Sequence, residues 1–244
     1  MKLLTYLHDP DNLYIPLIKN TELPEDIKKP VVAISDSTTK EVTDLVKEMG
    51  FKIVDGGLYG EARNNVVKHT LENGNEDWFF ICDFDKMLHW IEKDKDEFIE
   101  VLNFKPEADM TVIGRSTKAL STYPETWVET EEIAIRVLAK TIKQKVDFMN
   151  GPSILSREAA KIIAENAKES GVGSCVEFCL LTHQAGLEIS NLEVDGLTWE
   201  DPDRYTKLIE KSESFEDWKY DTYHSLYEWR KRVDFLYTQV EVMI

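Results

Sequence analysis

The sequence lacks the features that mark secreted and membrane-spanning proteins. Its 244 residues include 3 cysteines, an odd number set among apolar neighbours, which predicts reduced thiols and not a disulfide framework. No run approaches the roughly 18 consecutive apolar residues of a membrane span, and the first nine residues are too short and too polar for a signal peptide. We therefore expect a cytoplasmic protein with no transmembrane segment.

Positive charge is also scarce. Lys and Arg number 29 against 46 Asp and Glu, a formal net charge of -17. Binding to a phosphate backbone needs clustered basic residues, so we expect no nucleic-acid partner. An anionic small molecule would need a local cation to offset the repulsion from the net negative charge of the protein. This requirement favours a bound metal ion.

Glycine is missing where a phosphate-binding loop would need it. Residues 3–20, which contain the first predicted strand and the turn after it, have no glycine. The glycines of residues 56–60 do not have the G-x-G-x-x-G spacing directly after a strand. A dinucleotide fingerprint and a glycine-rich triphosphate loop are both disfavoured.

The most informative stretch is residues 78–85. Its five apolar residues, 78–82, are typical of a strand buried on both faces in a parallel sheet. Asp83 and Asp85 follow, and in an extended chain they would lie about 7 Å apart on one face. Open α/β sheets bind ligands at this carboxyl edge, where two carboxylates favour a divalent cation. The alternative is structural, with Asp85 as a helix N-cap and Asp83 as a solvated strand end.

Predicted strands and helices alternate along most of the chain. The strands lie at residues 2–7, 30–35, 51–54, 78–82, 109–115 and 187–194. This order predicts an α/β fold with a mostly parallel sheet flanked by helices and the residue 78 strand in the centre. One helix is predicted from residue 86 to 102 and another from 131 to 143. Between the latter and the fifth strand, the aromatic segment 121–130 reads as a substrate lid or a surface turn.

The domain boundary is placed at residue 203. Residues 1–203 are predicted to form one α/β domain, and residues 204–244 a helical extension. The extension carries too much apolar surface for a free helix, so it should pack on its own domain or on a second subunit, giving a possible homo-oligomer through these helices.

Three motifs occur in a fixed order near the predicted strand ends. They are Asp36 followed by Ser37 and Thr38, the Ala62-Arg63-Asn64 triplet, and the Asp-x-Asp pair at 83 and 85. Together they resemble the GT-A class of nucleotide-sugar-dependent glycosyltransferases, most closely the family 2 type, over residues 1–90. The resemblance implies a GT-A-like, Rossmann-like fold.

The resemblance also implies an activity and a ligand set. A family member transfers a sugar from a nucleotide-diphosphate sugar to a hydroxyl of a small or glycan acceptor, with manganese or magnesium held at the Asp-x-Asp motif. By position, Asp36 would meet the base, Arg63 with Asn64 a phosphate or its loop, Asp83 the ribose or metal, and Asp85 the metal. The family's usual turn after the first strand is replaced here by residues 7–12, which leaves the base open.

Three more residues are candidates. Arg115 ends a predicted strand and could neutralise the leaving diphosphate, and Glu177 is the nearest candidate for the acceptor base, although it could equally decorate a helix. The Asp-rich turn at 195–203 looks like that of sugar nucleotidyltransferases, which makes Asp203 a candidate metal ligand. A plain turn, with Asp201 capping a helix that Pro202 opens, explains the same residues.

Two other functions remain open. A sugar nucleotidyltransferase would share the fold, but the absence of glycine from residues 3–20 counts against it. A non-catalytic protein that binds a nucleotide or sugar is also consistent with the sequence, because a fold does not fix a function.

Overall fold

The computed structural model describes residues 1–58 and 60–244, with the backbone alone for Lys207. The loop predicted at 56–60 therefore includes one residue, Tyr59, outside the described part. The strands are β1 (Lys2–Leu7), β2 (Val31–Ile34), β3 (Lys52–Asp55), β4 (Trp78–Asp83), β5 (Met110–Arg115), β6 (Ser153–Ser156) and β7 (Ile189–Val194). The helices are α1 (Ile15–Asn20), α2 (Lys40–Glu48), α3 (Ala62–Asn73), α4 (Phe84–Lys93), α5 (Lys95–Leu102), α6 (Thr117–Leu120), α7 (Glu125–Ile142), α8 (Arg157–Asn166), α9 (Ser174–Gln184), α10 (Asp201–Arg204), α11 (Thr206–Ile209), α12 (Phe215–Tyr223) and α13 (Leu226–Val242), with 3-10 turns at Phe148–Asn150 and Gly171–Gly173.

The strands of the described part form one sheet of seven in the order β3-β2-β1-β4-β6-β5-β7. β4 is the fourth of these strands and pairs in parallel with β1, as the sequence predicted. β6 runs antiparallel to both of its neighbours. The mostly parallel α/β fold is confirmed, and β6 is the exception to the parallel order.

The sheet is covered on both faces, which explains the continuous apolar run of β4. Its side chains alternate: Phe79 and Ile81 pack with α3, α7, α8 and α9, whereas Phe80 and Cys82 pack with α1, α2, α4 and α5. A strand with helices on both faces needs apolar residues at every position, not at every second one. These two layers place the ends of β1 and β4 between the helices.

The expected geometry of the acidic pair is wrong. β4 ends at Asp83 and α4 begins at Phe84, so Asp85 lies in the first turn of a helix and not in an extended chain. Asp83 is the residue at the N-cap position, but its side chain makes no capping bond. Its carboxylate instead accepts a hydrogen bond from the Tyr6 hydroxyl. The position of the Asp83 carboxylate is therefore set by the end of β4, and that of the Asp85 carboxylate by the first turn of α4.

The segment predicted as an irregular lid is also different. α7 begins at Glu125 and continues for 18 residues, so Trp127 lies on a helix. Pro124, in an extended conformation, precedes its first turn, a position where its missing N–H costs nothing. The helix predicted over 86–102 is divided at Asp94, whose non-helical backbone ends α4 and whose side chain caps α5. Both differences arise from capping residues that the apolar spacing does not report.

The C-terminal helices pack against α7. Tyr123, Trp199, Trp218 and Tyr223 form a buried aromatic cluster, in which the Trp199 and Trp218 rings stack with centroids 5.7 Å apart. On α13, Arg232 pairs with the buried Glu131 of α7. The apolar surface of this segment is therefore partly covered within the chain. No helix in the described ranges combines the length and apolar character needed to cross a bilayer.

Replacing Trp218 tests whether this aromatic cluster is part of the cooperative fold. Trp218 is 5% exposed, so Trp218→Ala should lower the free energy of unfolding by about 3–5 kcal/mol because it leaves a cavity. Urea unfolding followed by circular dichroism measures this. The matched control is Tyr220→Ala on the same helix, 67% exposed, with an expected change within about 0.5 kcal/mol. Equal, small effects for both variants would contradict the packing described.

Candidate active site

A cavity of about 390 Å³ opens at the carboxyl ends of β1 and β4. This is the edge at which open α/β sheets bind ligands, and the volume lies in the range of small-molecule sites. The lining comes from the ends of β1 and β4, the residue after β2, and α4, and also from α7, α13 and the segment around α10. The lining includes Tyr6, His8, Tyr14, Ser35, Arg63, Asp83, Asp85, Lys86, Trp127, Glu131, Asn150, Glu200, Arg204, Arg232 and Gln239.

The charges that line the cavity are balanced, unlike those of the whole chain. Among the described residues the lining has four cations, Arg63, Lys86, Arg204 and Arg232, and four acids, Asp83, Asp85, Glu131 and Glu200. The chain as a whole has a net charge of -17. The cavity is therefore a place where a protein of this charge can receive an anionic ligand.

Asp83 is held by a short network at the end of β4. The Tyr6 hydroxyl donates to its Oδ1, and Arg63 donates to the Tyr6 oxygen over 3.2 Å. Arg63 also donates to the Gly151 carbonyl, and a Cβ on Gly151, whose φ is 91°, would come within 2.7 Å of Asp83 Oδ1. Burial raises the pKa of Tyr6, so the hydroxyl keeps its proton and remains a donor. The network fixes the Asp83 carboxylate at the cavity wall.

Lys86 and Glu200 form a second buried contact. Lys86 lies one helical turn after Asp83, and its Nζ is 2.5 Å from Glu200 Oε1. Burial alone would lower the pKa of Lys86 and raise that of Glu200. The attraction between the two charges is the larger effect, so the pKa of Lys86 is raised and that of Glu200 is lowered. Both groups are therefore charged at neutral pH, and the pair ties α4 to the segment before α10.

Arg204 forms the third contact, with Asp85. Its guanidinium pairs with the Asp85 carboxylate and lies 3.1 Å from Asp201 Oδ1 and 3.5 Å from Glu200 Oε1. The Tyr14 ring supports it, with the guanidinium carbon 5.2 Å from the ring centroid. Arg204 is thus the cation that neutralises the second aspartate of the Asp-x-Asp motif.

The donor set of the predicted metal site is not assembled. Asp83 accepts from Tyr6, Asp85 is paired with Arg204, and Asp203 is paired with His89. Within residues 1–58 and 60–244, no three His, Cys, Asp or Glu side chains are arranged to hold a metal ion. Because a hard divalent cation needs several free oxygen ligands, these residues as folded do not fit one.

Arg115 and Glu177 do not line the cavity. Arg115 makes a two-pronged contact with Asp147, 2.8 and 2.9 Å, and lies 2.8 Å from Glu131 Oε2. This buried pairing connects β5 to α7 and to the residues before β6. The Glu177 carboxylate accepts from the backbone N–H groups of Lys168 and Glu169, 2.9 and 3.0 Å, so it caps a loop.

Asp36 and Asn64 also lie outside the lining. Asp36 is exposed on the loop after β2, next to Ser35, which does line the cavity. Asn64 is 7% exposed, and its amide donates to the Glu169 carbonyl over 3.3 Å. Of the residues singled out in the sequence, the structure brings Arg63, Asp83 and Asp85 into one cavity.

Sequence reasoning missed Tyr6, Lys86, Glu200 and Arg204. Lys86 was detectable, since it lies in the first turn of the helix predicted directly after the Asp-x-Asp motif. Arg204 follows the Asp-rich turn, in which only the acids were considered. Tyr6 and Glu200 carried no signal, because their roles depend on contacts between strands and between distant segments.

The pH dependence of stability tests the Arg204 cluster through Asp201. Asp201 is 6% exposed and accepts from the Tyr223 hydroxyl over 2.6 Å. Burial, followed by the charge of Glu200, raises the pKa of Asp201 from 3.8 to about 6. The native state therefore holds this proton more tightly, so its stabilising effect is complete below pH ~4 and is lost as the pH rises through ~6.

Asp201→Asn removes this titration while keeping an acceptor for Tyr223. Relative to wild type, the variant should gain about 1–3 kcal/mol of unfolding free energy between pH 4 and pH 7.5. Urea unfolding at several pH values measures the gain, with Asp221→Asn, exposed on α12, as the control. Parallel profiles for wild type and Asp201→Asn would contradict the buried position of Asp201.

The sequence matches no family model and no curated protein. The fold is similar to that of glucosyl-3-phosphoglycerate synthase from M. tuberculosis, with a TM-score of 0.53, 13% identity, and coverage of 79% of this chain and 69% of that chain. It is also similar to a mycobacterial protein, with a TM-score of 0.51, 13% identity, and coverage of 79% and 65%. A crystal structure of the M. tuberculosis synthase with Mn²⁺, uridine diphosphate and phosphoglyceric acid has a TM-score of 0.49, 12% identity, and coverage of 79% and 67%. The first two likenesses, both at 13% identity, concern the fold alone, and this chain has a GT-A-like α/β fold.

Proposed function

We propose that the protein binds a nucleoside-diphosphate sugar in this cavity and transfers the sugar to a hydroxyl acceptor. The observation that carries the proposal is the meeting of Asp83, Lys86 and Arg204 at the carboxyl ends of β1 and β4. A carboxylate suits hydroxyl groups, and neighbouring cations suit a diphosphate. The GT-A-like fold is consistent with this use of the site.

The reaction needs positive charge beside the leaving group, and the cavity has cations that can supply it. When the bond between the anomeric carbon and the diphosphate oxygen breaks, negative charge develops on the leaving nucleoside diphosphate. Preorganised cations in a partly buried site stabilise that charge more than water does. Lys86 and Arg204 are positioned for this purpose by Glu200 and Asp85, so little rearrangement is needed at the moment of reaction.

The other predicted binding residues have different roles in the proposal. Asp83 accepts hydroxyl groups of the ribose or the sugar, and Arg63 acts as a positioning residue through Tyr6 and the Gly151 carbonyl. Asp36, which is exposed next to the lining residue Ser35, stays a prediction for base recognition, and Asn64 stays a prediction for the phosphate or its loop.

The acceptor enters from the side of α7 and α13. Asn150, in the 3-10 turn before β6, and Gln239, on α13, line the cavity, and each has a buried polar atom without a hydrogen-bond partner among the described residues, Nδ2 and Oε1 respectively. Trp127 belongs to the same cavity lining. One donor and one acceptor beside an indole suit a hydroxylated acceptor, a small polyol or a glycan end.

Three other accounts are separated by experiment. A sugar nucleotidyltransferase would release pyrophosphate from a nucleoside triphosphate and a sugar 1-phosphate. A binding protein would take up the nucleotide sugar without turnover. A transferase that holds manganese or magnesium at Asp83 and Asp85, as the motif predicts, would bind nucleotides only when the metal is present.

A panel of nucleotide sugars tests the proposal, read as thermal stabilisation and as sugar transfer or hydrolysis. At least one should raise the unfolding midpoint, because a ligand bound to the native state stabilises it by mass action. Asp83→Asn keeps the shape and the Tyr6 contact but removes the charge, so it should weaken binding about tenfold or more. Turnover should fall by about a hundredfold.

The matched control is Asp44→Asn, an exposed aspartate of α2 that pairs with Lys40. It should bind and react as wild type does. No stabilisation by any nucleotide sugar, or equal behaviour of the two variants, would refute the proposal.

A further inference from the structure

The second aspartate of the Asp-x-Asp motif already has a cation. Its partner, Arg204, is the last residue of α10 and comes from a segment more than a hundred residues later in the chain. Asp85 is 6% exposed, so its charge is removed from bulk water and requires a partner. Arg204 supplies that partner as an ion pair within the folded chain.

The surroundings hold Arg204 in place at the cavity wall. Asp201 and Glu200 contact it on one side, and the Tyr14 ring lies against its guanidinium. Its Nε is buried and has no hydrogen-bond partner among the described residues. The side chain thus has a fixed position, lines the cavity and keeps 20% of its surface exposed, as a group that binds an anion there must.

A metal ion and Arg204 compete for the same carboxylate. A divalent ion at Asp85 would stand beside the guanidinium, and two positive groups at contact distance repel strongly in a partly buried site. The ion would also find Asp203 paired with His89. A diphosphate, in contrast, is negatively charged, so Arg204 attracts it, as does Lys86, which follows Asp85 by one residue.

We infer that Arg204, together with Lys86, binds the diphosphate in place of a divalent metal ion, so that nucleotide binding is independent of metal. This inference rests on the proposed function, since it concerns how the same cavity holds the same diphosphate. Arg204 is a binding residue for the ligand, and Asp85 is the residue that positions it.

Calorimetric titration tests the inference with ADP, CDP, GDP and UDP, and with inorganic pyrophosphate as a probe without a base. Each is titrated with chelator and with magnesium. In chelator, wild type should bind pyrophosphate and at least one nucleoside diphosphate within about threefold of the affinity in magnesium. Arg204→Gln should weaken binding in chelator by about ten- to a hundredfold, the loss of charge-assisted hydrogen bonds.

Two further variants keep the result independent of folding. Arg204→Lys retains the charge and should recover part of the affinity, whereas Arg230→Gln, exposed on α13, should have no effect. Asp85→Asn separates the two accounts directly. Because Asp85 positions Arg204, its loss should weaken binding by a similar, small factor in chelator and in magnesium, whereas the removal of a metal ligand would weaken only the metal-assisted binding.

Different negative results would overturn the inference alone or the proposed function as well. Binding that requires magnesium, is lost in Asp85→Asn and is unchanged or tighter in Arg204→Gln would overturn the inference and leave the proposed function standing. No binding of any probe with or without metal would overturn both.

Discussion

The site depends on ion pairs that form between the start of α4 and the segment before α11. Lys86 with Glu200, and Asp85 with Arg204, bring residues more than a hundred positions apart into contact at the end of β4. Buried charges are costly when unpaired, so each half of these contacts requires the other. The cavity wall therefore exists only when the C-terminal segment is folded against the sheet.

The C-terminal segment is kept there by apolar packing. Trp199, Trp218 and Tyr223 bury their rings beside Tyr123, and the same segment continues into α13, whose Arg232 faces Glu131 of α7. Hydrophobic burial stabilises the C-terminal segment against the domain. Because burial of apolar area is not directional, the ion pairs set how the segment is oriented. The extension is thereby part of the candidate site, with Arg232 and Gln239 in the cavity lining.

The charge of the whole chain and the charge of the cavity lining differ. A net charge of -17 repels an approaching anion at long range, and salt shortens that repulsion to about 8–10 Å. Inside the cavity, paired cations and acids leave no excess of negative charge. Recognition of a diphosphate then depends on short-range, directional contacts, which favours a few fixed cations over a diffuse basic surface.

The sequence by itself determined the α/β order, the central position of β4 and the aspartate at its carboxyl end. These follow from local signals, namely apolar runs, helix spacing and strand-end acids, which depend on neighbouring residues. Tertiary structure decided which charges meet. Asp85 has Arg204 as its partner, Arg115 has Asp147 and Glu131, and Glu177 has two backbone N–H groups, because an ion pair between distant segments depends on how the layers pack and leaves no periodic trace along the chain.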